Sequence, residues 1–349
     1  VLTQDTFRIA RDIPGIGFTA VDELARDQGT EKEAEQRIKA CLVCRLLDLE
    51  QDGHVFELKE DLIRSCARIA GVSEELLLNA LNILESDNEV VLEKDMVYLG
   101  PLHEAEAGIS RRIKALLSMP NPEFQVDEDL IQTQVLSAMA VQLSQEQLDV
   151  VTRIMGCKIS IITGGPGTGK TTLIKALCVV FKTLRLKVML CAPTGRAARR
   201  LSEVTERKAK TLHKLLGFNQ ETGTFEHDFT NPLDLDLLVV DEVSMVDTQL
   251  MYRLSEALPA GAGLILVGDT FQLPSVGPGN VLSDIIDSSR VTVFPLTRIF
   301  RQARKSPIVM YAHSIRNGQM PDIKSATPDQ PSQFYFIENS TPARVADTI

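Results

Sequence analysis

No run of apolar residues in this 349-residue chain approaches the ~18 that a membrane-crossing helix needs. There is no internal repeat, no low-complexity tract and no second cysteine pair to join Cys41 and Cys44 at a zinc spacing. A helical membrane protein, a repeat array and a paired-cysteine zinc fold are thereby set aside. Hydrophobic and charged residues, at 44% and 24%, stand at the averages of soluble globular proteins. The six cysteines (Cys41, Cys44, Cys66, Cys157, Cys178 and Cys191) lie mostly inside apolar runs, as reduced thiols of a cytoplasmic protein would. Cys41 and Cys44 form a C-x-x-C, but Ile38, Cys41, Leu42, Arg45, Leu46 and Leu49 recur at helical spacing, so a buried helix is expected rather than a redox or metal site. No charged-then-apolar leader is present, and Ala343, Arg344, Val345, Ala346 and Asp347 carry no terminal signature, so a partial chain is expected.

The net charge of -10 is distributed unevenly. Residues 1–130 hold 14 Lys/Arg against 27 Asp/Glu, net -13, which leaves 23 against 20 for the remainder. An acidic front is expected to face a protein partner rather than a polyanion. Within the rear part, Arg196, Arg199, Arg200, Arg207, Lys208, Lys210 and Lys214 face only Glu203 and Glu206. Such a stripe suits a phosphate backbone, although a solvated helix face gives the same letters.

Along the chain, Ile13-Pro14-Gly15-Ile16-Gly17 lies between helical stretches at 3–12 and 19–27. Residues 1–30 therefore read as helix, tight turn, helix, with Gly15 and Gly17 offering backbone amides to a DNA phosphate; an ordinary turn between packed helices is the alternative. Residues 31–119 are expected to form a mainly helical, winged-helix-like domain: helices at 33–49, 59–70 and 73–85, short strands at 89–92 and 96–99, and a helix at 102–118. Met119-Pro120-Asn121-Pro122 opens a linker over 120–126. From 127 to 295 apolar runs at 159–163, 188–192, 237–240, 264–267 and 291–294 alternate with helical stretches, the grammar of an α/β fold with a mostly parallel sheet buried on both faces.

Gly164-Gly165-Pro166-Gly167-Thr168-Gly169-Lys170-Thr171 fits G-x-x-x-x-G-K-[ST] between an expected strand and a helix running on through Thr172. In a P-loop of this kind the amides of 164–172 face phosphates, Lys170 reaches the terminal ones and the Thr171 hydroxyl meets Mg2+. The run 237–240 ends in Asp241 and Glu242, which suits Asp241 to the metal and Glu242 to the attacking water. A third run ends in Gly268-Asp269-Thr270-Phe271-Gln272-Leu273-Pro274, where Gln272 is placed to sense a terminal phosphate. The expectation is an ATP-binding, ATP-hydrolysing site.

The ordered segments 164–171, 241–247 and 268–274, with 192–198, 211–216 and 296–302, resemble successive motifs of superfamily 1 DNA helicases, and in particular the long RecD-like group, the exodeoxyribonuclease V alpha subunit family. The resemblance covers nearly the whole chain. It implies a RecA-like lobe at 127–295, a small strand-separating hairpin inserted near 218–231, and the start of a second RecA-like lobe at 296–349. It implies single-stranded DNA and duplex junctions as partners, contacted by Pro193, Thr194, Gly195, Arg196, Thr211 and His213, and 5′ to 3′ movement. It further implies that Gln147 reads adenine and that Arg301 reaches the γ-phosphate from across the cleft. For Gln147 an S-x-x-Q capping box with Ser144 is a rival role. With the second lobe incomplete, the chain is expected to act as a monomeric, DNA-stimulated ATPase in repair and recombination without unwinding duplex itself. A nucleotide-switched DNA-binding or docking module is the alternative, and an AAA+ remodeller a third.

Overall fold

A computed structural model describes residues 6–13, 15–120, 127–300 and 306–321. The front of the chain is helical, as its apolar spacing requires. Helices α1 (Arg8–Asp12) and α2 (Phe18–Asp27) flank the Gly15–Gly17 turn, and α3 (Glu35–Gln51) is the most buried helix of this part. Strand β1 (Phe56–Leu58), α4 (Lys59–Ala70), α5 (Glu74–Ser86), the hairpin β2 (Val90–Glu93) and β3 (Met96–Leu99), and α6 (Gly100–Leu117) follow. The three strands form one antiparallel sheet in the order β1-β3-β2. Strand β1 escaped the sequence reading because three residues carry no period.

Cys41 and Cys44 are buried in α3. Beside them Arg37, 1% exposed, grips Asp22 of α2 through two hydrogen bonds of 2.6 and 2.7 Å. The same guanidinium donates to the carbonyls of Lys32 and Ala70, at 2.6 and 3.0 Å. One side chain thus ties α2, α3 and α4 together behind the glycine turn.

The rear part comprises α7 (Glu128–Met139), α8 (Gln145–Ile154), β4 (Ile159–Gly164), α9 (Lys170–Thr183), β5 (Val188–Ala192), α10 (Gly195–Thr205), β6 (Ala209–Thr211), α11 (Leu212–Leu215), β7 (Leu237–Val240), α12 (Thr248–Ala257), β8 (Gly263–Gly268), α13 (Val281–Asp287), β9 (Thr292–Leu296) and α14 (Pro307–Arg316). The strands form a six-stranded sheet in the order β6-β5-β7-β8-β4-β9, and every neighbouring pair is parallel. Successive residues of each strand serve opposite cores, as the two-residue period dictates. Leu238, Val240, Leu264 and Leu266 enter one cluster; Leu237, Val239, Ile265 and Val267 enter the other. Both faces are therefore covered, which is why the strands read as unbroken apolar runs. Strand β6 was not anticipated, because Ala-Lys-Thr at a sheet edge has no apolar run to betray it.

Helix α6 links the two parts. Its Leu102 belongs to the core of the helical front, whereas Ile109 and Leu116 fill the core on one face of the parallel sheet. Arg112 donates to the carbonyl of Ser255 at 3.1 Å and to that of Leu258. Gly108 lies against the Tyr252 ring so closely that an added Cβ would stand 2.2 Å from a ring carbon. Gly108→Val is expected to cost about 1–3 kcal/mol by overpacking. The check is the urea midpoint, with Tyr252→Ala in the same chain recovering part of the loss. Among the described residues no helix is long and apolar enough to cross a membrane.

Candidate functional site

The carboxyl edge of the parallel sheet carries most residues singled out above. Strand β4 runs into the loop 164–169, and α9 begins at Lys170 with Gly169 as its N-cap at φ 84°. The first amides of a helix lack intrahelical partners, and here the glycine-rich loop leads directly into them. A left-handed φ at Gly169 is strained for any residue bearing a Cβ. The Thr168 hydroxyl, buried, donates to the Gly165 carbonyl at 2.8 Å and braces the loop from within. Lys170 Nζ donates to the Gly164 carbonyl at 2.5 Å and also to that of Gly165, at 3.4 Å. Burial lowers its pKa, opposed by the carboxylates of Asp269, Glu242 and Asp241. Thr171 and Thr172 follow in the first turn of α9, half-buried.

At the end of β7, burial first and then the Glu242 carboxylate push Asp241 up to about 6. The Glu242 amide donates to Asp241 Oδ1 at 2.9 Å. Glu242 itself sits at φ 54°, ψ 43°, left-handed backbone that a side-chain-bearing residue adopts at a cost of about 1–2 kcal/mol. Its Oε2 is buried without a hydrogen-bond partner among the described residues, as is the neighbouring Ser244 hydroxyl oxygen. Strain and an orphaned carboxylate oxygen at one residue mark a site shaped for something other than stability. Asp247 plays a different part, capping α12 by accepting from the Leu250 amide at 2.7 Å.

Strand β8 delivers Asp269, buried, whose Oδ1 accepts from the Phe271 amide at 3.2 Å. Gln272 is exposed, and its side chain makes no hydrogen bond among the described residues. Gln147 forms the capping box that its S-x-x-Q spacing with Ser144 offered. Its Oε1 accepts from the Ser144 amide at 3.2 Å while Ser144 Oγ accepts from the Gln147 amide at 3.3 Å, completing the capping box of α8. Its Nε2 is buried and unpartnered among the described residues, and a Cβ on Gly169 would stand 2.9 Å from it. Phe300 closes the same corner, its amide donating to the Gly167 carbonyl at 3.2 Å. Arg301 lies outside the described residues, as does most of 296–349.

Of the residues assigned to DNA, Thr194 and Thr211 cap α10 and α11, accepting from the amides of Ala197 and Lys214 at 3.2 and 3.3 Å. These caps follow the ends of β5 and β6, so Pro193, Thr194, Gly195 and Thr211 share the sheet edge with the P-loop. His213 packs against Phe218 and Phe225, centroids 5.3 and 6.0 Å away. Arg196, Arg199 and Arg200 stand exposed on α10. The insertion 218–231 is a compact loop with one bridge between Asn219 and Thr224, and it carries Phe229 at 75% exposure. Gly15 and Gly17 lie in the front part, with open space where each Cβ would be.

His313 and Arg316, expected only as part of the second lobe, were not among the site residues that the sequence pointed to. On α14 they sit three residues apart: His313 Nε2 lies 2.9 Å from the Pro166 carbonyl of the P-loop, and Arg316 Nη1 lies beside Gly165 and 3.9 Å from Asp269 Oδ1. Their helical spacing was the available signal.

Two family models match the chain: one described as an AAA domain over residues 147–278, and one described as the ATP-dependent RecD2 DNA helicase HHH domain over residues 1–56. The ATP-dependent RecD2 DNA helicase of Deinococcus radiodurans is 35% identical over 334 residues, 92% of this chain and 46% of that protein. The RecBCD enzyme subunit RecD of Mycobacterium tuberculosis is 36% identical over 210 residues, 53% of this chain and 36% of that protein. A solved Pif1 helicase from Candida albicans covers 54% of this chain and 50% of its own, at 24% identity and a TM-score of 0.43. The chain thus spans less than half the length of the two curated relatives.

Proposed function

Because the chain belongs to the RecD-like helicase family, we propose that it is the nucleotide-hydrolysing and DNA-contacting part of an ATP-dependent DNA helicase. The observation that carries this reading is Glu242: a half-buried carboxylate on left-handed backbone whose buried Oε2 has no hydrogen-bond partner among the described residues, one residue past Asp241 and within electrostatic reach of Lys170.

On this reading the amides of 164–172 receive the phosphates of ATP, and Lys170 leaves the carbonyls of Gly164 and Gly165 for the terminal ones. The Thr171 hydroxyl and Asp241 fit Mg2+, a hard cation that takes few protein oxygens and keeps waters and phosphate oxygens for the rest. A buried aspartate whose pKa is pushed up to about 6 by burial and by the neighbouring Glu242 carboxylate is the kind of oxygen donor such a cation stabilises. When bound, the cation offsets the negative charge on the phosphates. Glu242 Oε2 orients a water toward the terminal phosphorus and takes its proton. Gln147 Nε2 donates to the adenine ring while Oε1 keeps its cap, and Phe300 lies beside the same corner. Gln272 and Arg301 complete the phosphate end, the latter from the second lobe.

Single-stranded DNA runs along the carboxyl edge, past Pro193, Thr194, Gly195 and Arg196 and toward Thr211 and His213, with Gly15 and Gly17 as a separate phosphate contact. Arg196→Ala and Arg199→Ala are each expected to weaken single-strand binding and to lower the slope of log affinity against log salt by ~0.7 per lost contact. Fluorescence anisotropy at several salt concentrations measures this. The chain works as a monomer in the cytoplasm, with 5′ to 3′ polarity in the whole protein and a protein partner for its acidic front. Single-stranded DNA should stimulate phosphate release without duplex unwinding. Robust unwinding by residues 1–349 would refute the second part, and nucleotide binding with no DNA-stimulated release would favour a switch instead.

A further inference from the structure

Helix α14 brings a cation to the P-loop that nothing above employs. The Arg316 guanidinium has five N–H donors, yet it makes no hydrogen bond among the described residues. Its side chain is only 29% exposed, so water satisfies it incompletely. The nearest anion, Asp269 Oδ1, stands at 3.9 Å, beyond hydrogen-bond reach. The guanidinium carbon lies 4.1 Å from the centroid of the Phe271 ring, a cation–π arrangement with an aromatic side chain that is itself largely exposed.

Its location is specific. A Cβ on Gly165 would stand 2.7 Å from Arg316 Nη1 and 2.7 Å from His313 Cε1, so both side chains lie directly against the P-loop backbone. His313 Nε2, at 2.9 Å from the Pro166 carbonyl, ties the helix to the loop. Lys170 marks the terminal-phosphate end of the cradle, and its ammonium rests on the carbonyls of Gly164 and Gly165, the same end. Gln147 and Phe300 stand at Gly169, the other end. Arg316 is near enough to Lys170 for its charge to bear on that ammonium.

We propose, building on the nucleotide-binding reading, that Arg316 is a ligand of the terminal phosphate, and that Asp269 and the Phe271 ring hold it in the nucleotide-free protein. A phosphate offers the guanidinium short, paired, charge-assisted hydrogen bonds that neither resting partner provides. Engaging it draws the guanidinium off the ring. The third phosphate thus controls whether the face of Phe271, in the segment after β8, is covered. His313 acts as a positioning residue for α14.

The chain contains no tryptophan, so Phe271→Trp introduces a single fluorescent reporter at the ring in question. The non-hydrolysable triphosphate AMP-PNP with Mg2+ should shift the emission of this variant, whereas ADP should not. In Phe271→Trp/Arg316→Ala the emission should start at the shifted position and stay there. In the otherwise unchanged chain, Arg316→Ala should weaken AMP-PNP by roughly tenfold or more and ADP by less than about twofold, with Arg316→Lys between. An equal response to ADP, a response that survives Arg316→Ala, or an unchanged ratio of the two affinities overturns the proposal. Polarisation of mant-labelled nucleotides separates the two readings: binding without these effects removes the role of Arg316 alone, and no binding at all removes the nucleotide site with it.

Discussion

Glu242→Gln should lower the rate of ATP hydrolysis by about 10²–10⁴-fold, the usual contribution of a general base, while leaving nucleotide affinity nearly unchanged. The substitution keeps the volume and the left-handed backbone at φ 54° and removes only the charge and the proton acceptor. It also relieves the electrostatic pressure that Glu242 places on Asp241, so affinity for Mg-nucleotide should hold or rise slightly. Phosphate release at saturating single-stranded DNA, set against mant-nucleotide binding, separates the two quantities. Lys170→Ala should differ in kind. It removes a cation from among Asp269, Glu242 and Asp241 and is expected to weaken binding as well as turnover. Glu242→Gln with turnover retained would mean that the strained carboxylate serves another purpose, and the hydrolytic reading would fall with it.

The second large effect concerns stability. Arg37→Ala is expected to cost about 3–5 kcal/mol, because it leaves a buried carboxylate on Asp22 and two carbonyls without their donor. Replacing both partners by apolar side chains, as in Arg37→Met with Asp22→Leu, should recover most of the loss, since desolvating the pair already offsets much of its attraction. Urea unfolding followed by circular dichroism gives the numbers. The loss should appear in the helical front alone, with nucleotide binding at the P-loop preserved at low urea. Arg37 bridges α2, α3 and α4, so its removal should loosen the packing of these three helices on one another.

Several positions show why parts of this molecule were legible in sequence and parts were not. The P-loop is a local object: glycines within 164–169, a preceding apolar strand and a following helix all fall within about two dozen residues. Asp241 and Glu242 follow an all-buried strand, and in a parallel sheet every strand delivers its end to one edge, so their convergence with the P-loop follows from the α/β pattern. Strands β1 and β6 escaped because three residues at a sheet edge need no period to be held by a neighbour. For Gln147 the structure shows the cap, made through Oε1, and leaves Nε2 without a partner among the described residues.

What the sequence by itself determined is therefore the fold class, the family, and the placing of the P-loop and of Asp241 and Glu242 at one edge of the sheet. Local backbone preference and the two- and 3.6-residue periods suffice for that. The contacts across long stretches of chain were decided only by the tertiary structure: Gly108 under the Tyr252 ring, Arg112 on the end of α12, the grip of Arg37 on Ala70, and His313 and Arg316 against a loop almost 150 positions earlier. None of these pairs has a spacing that marks it in advance, because what brings them together is the packing of whole helices. That the side-chain ends of Arg316 and His313 come to lie against Gly165 is visible only once α14 is in place.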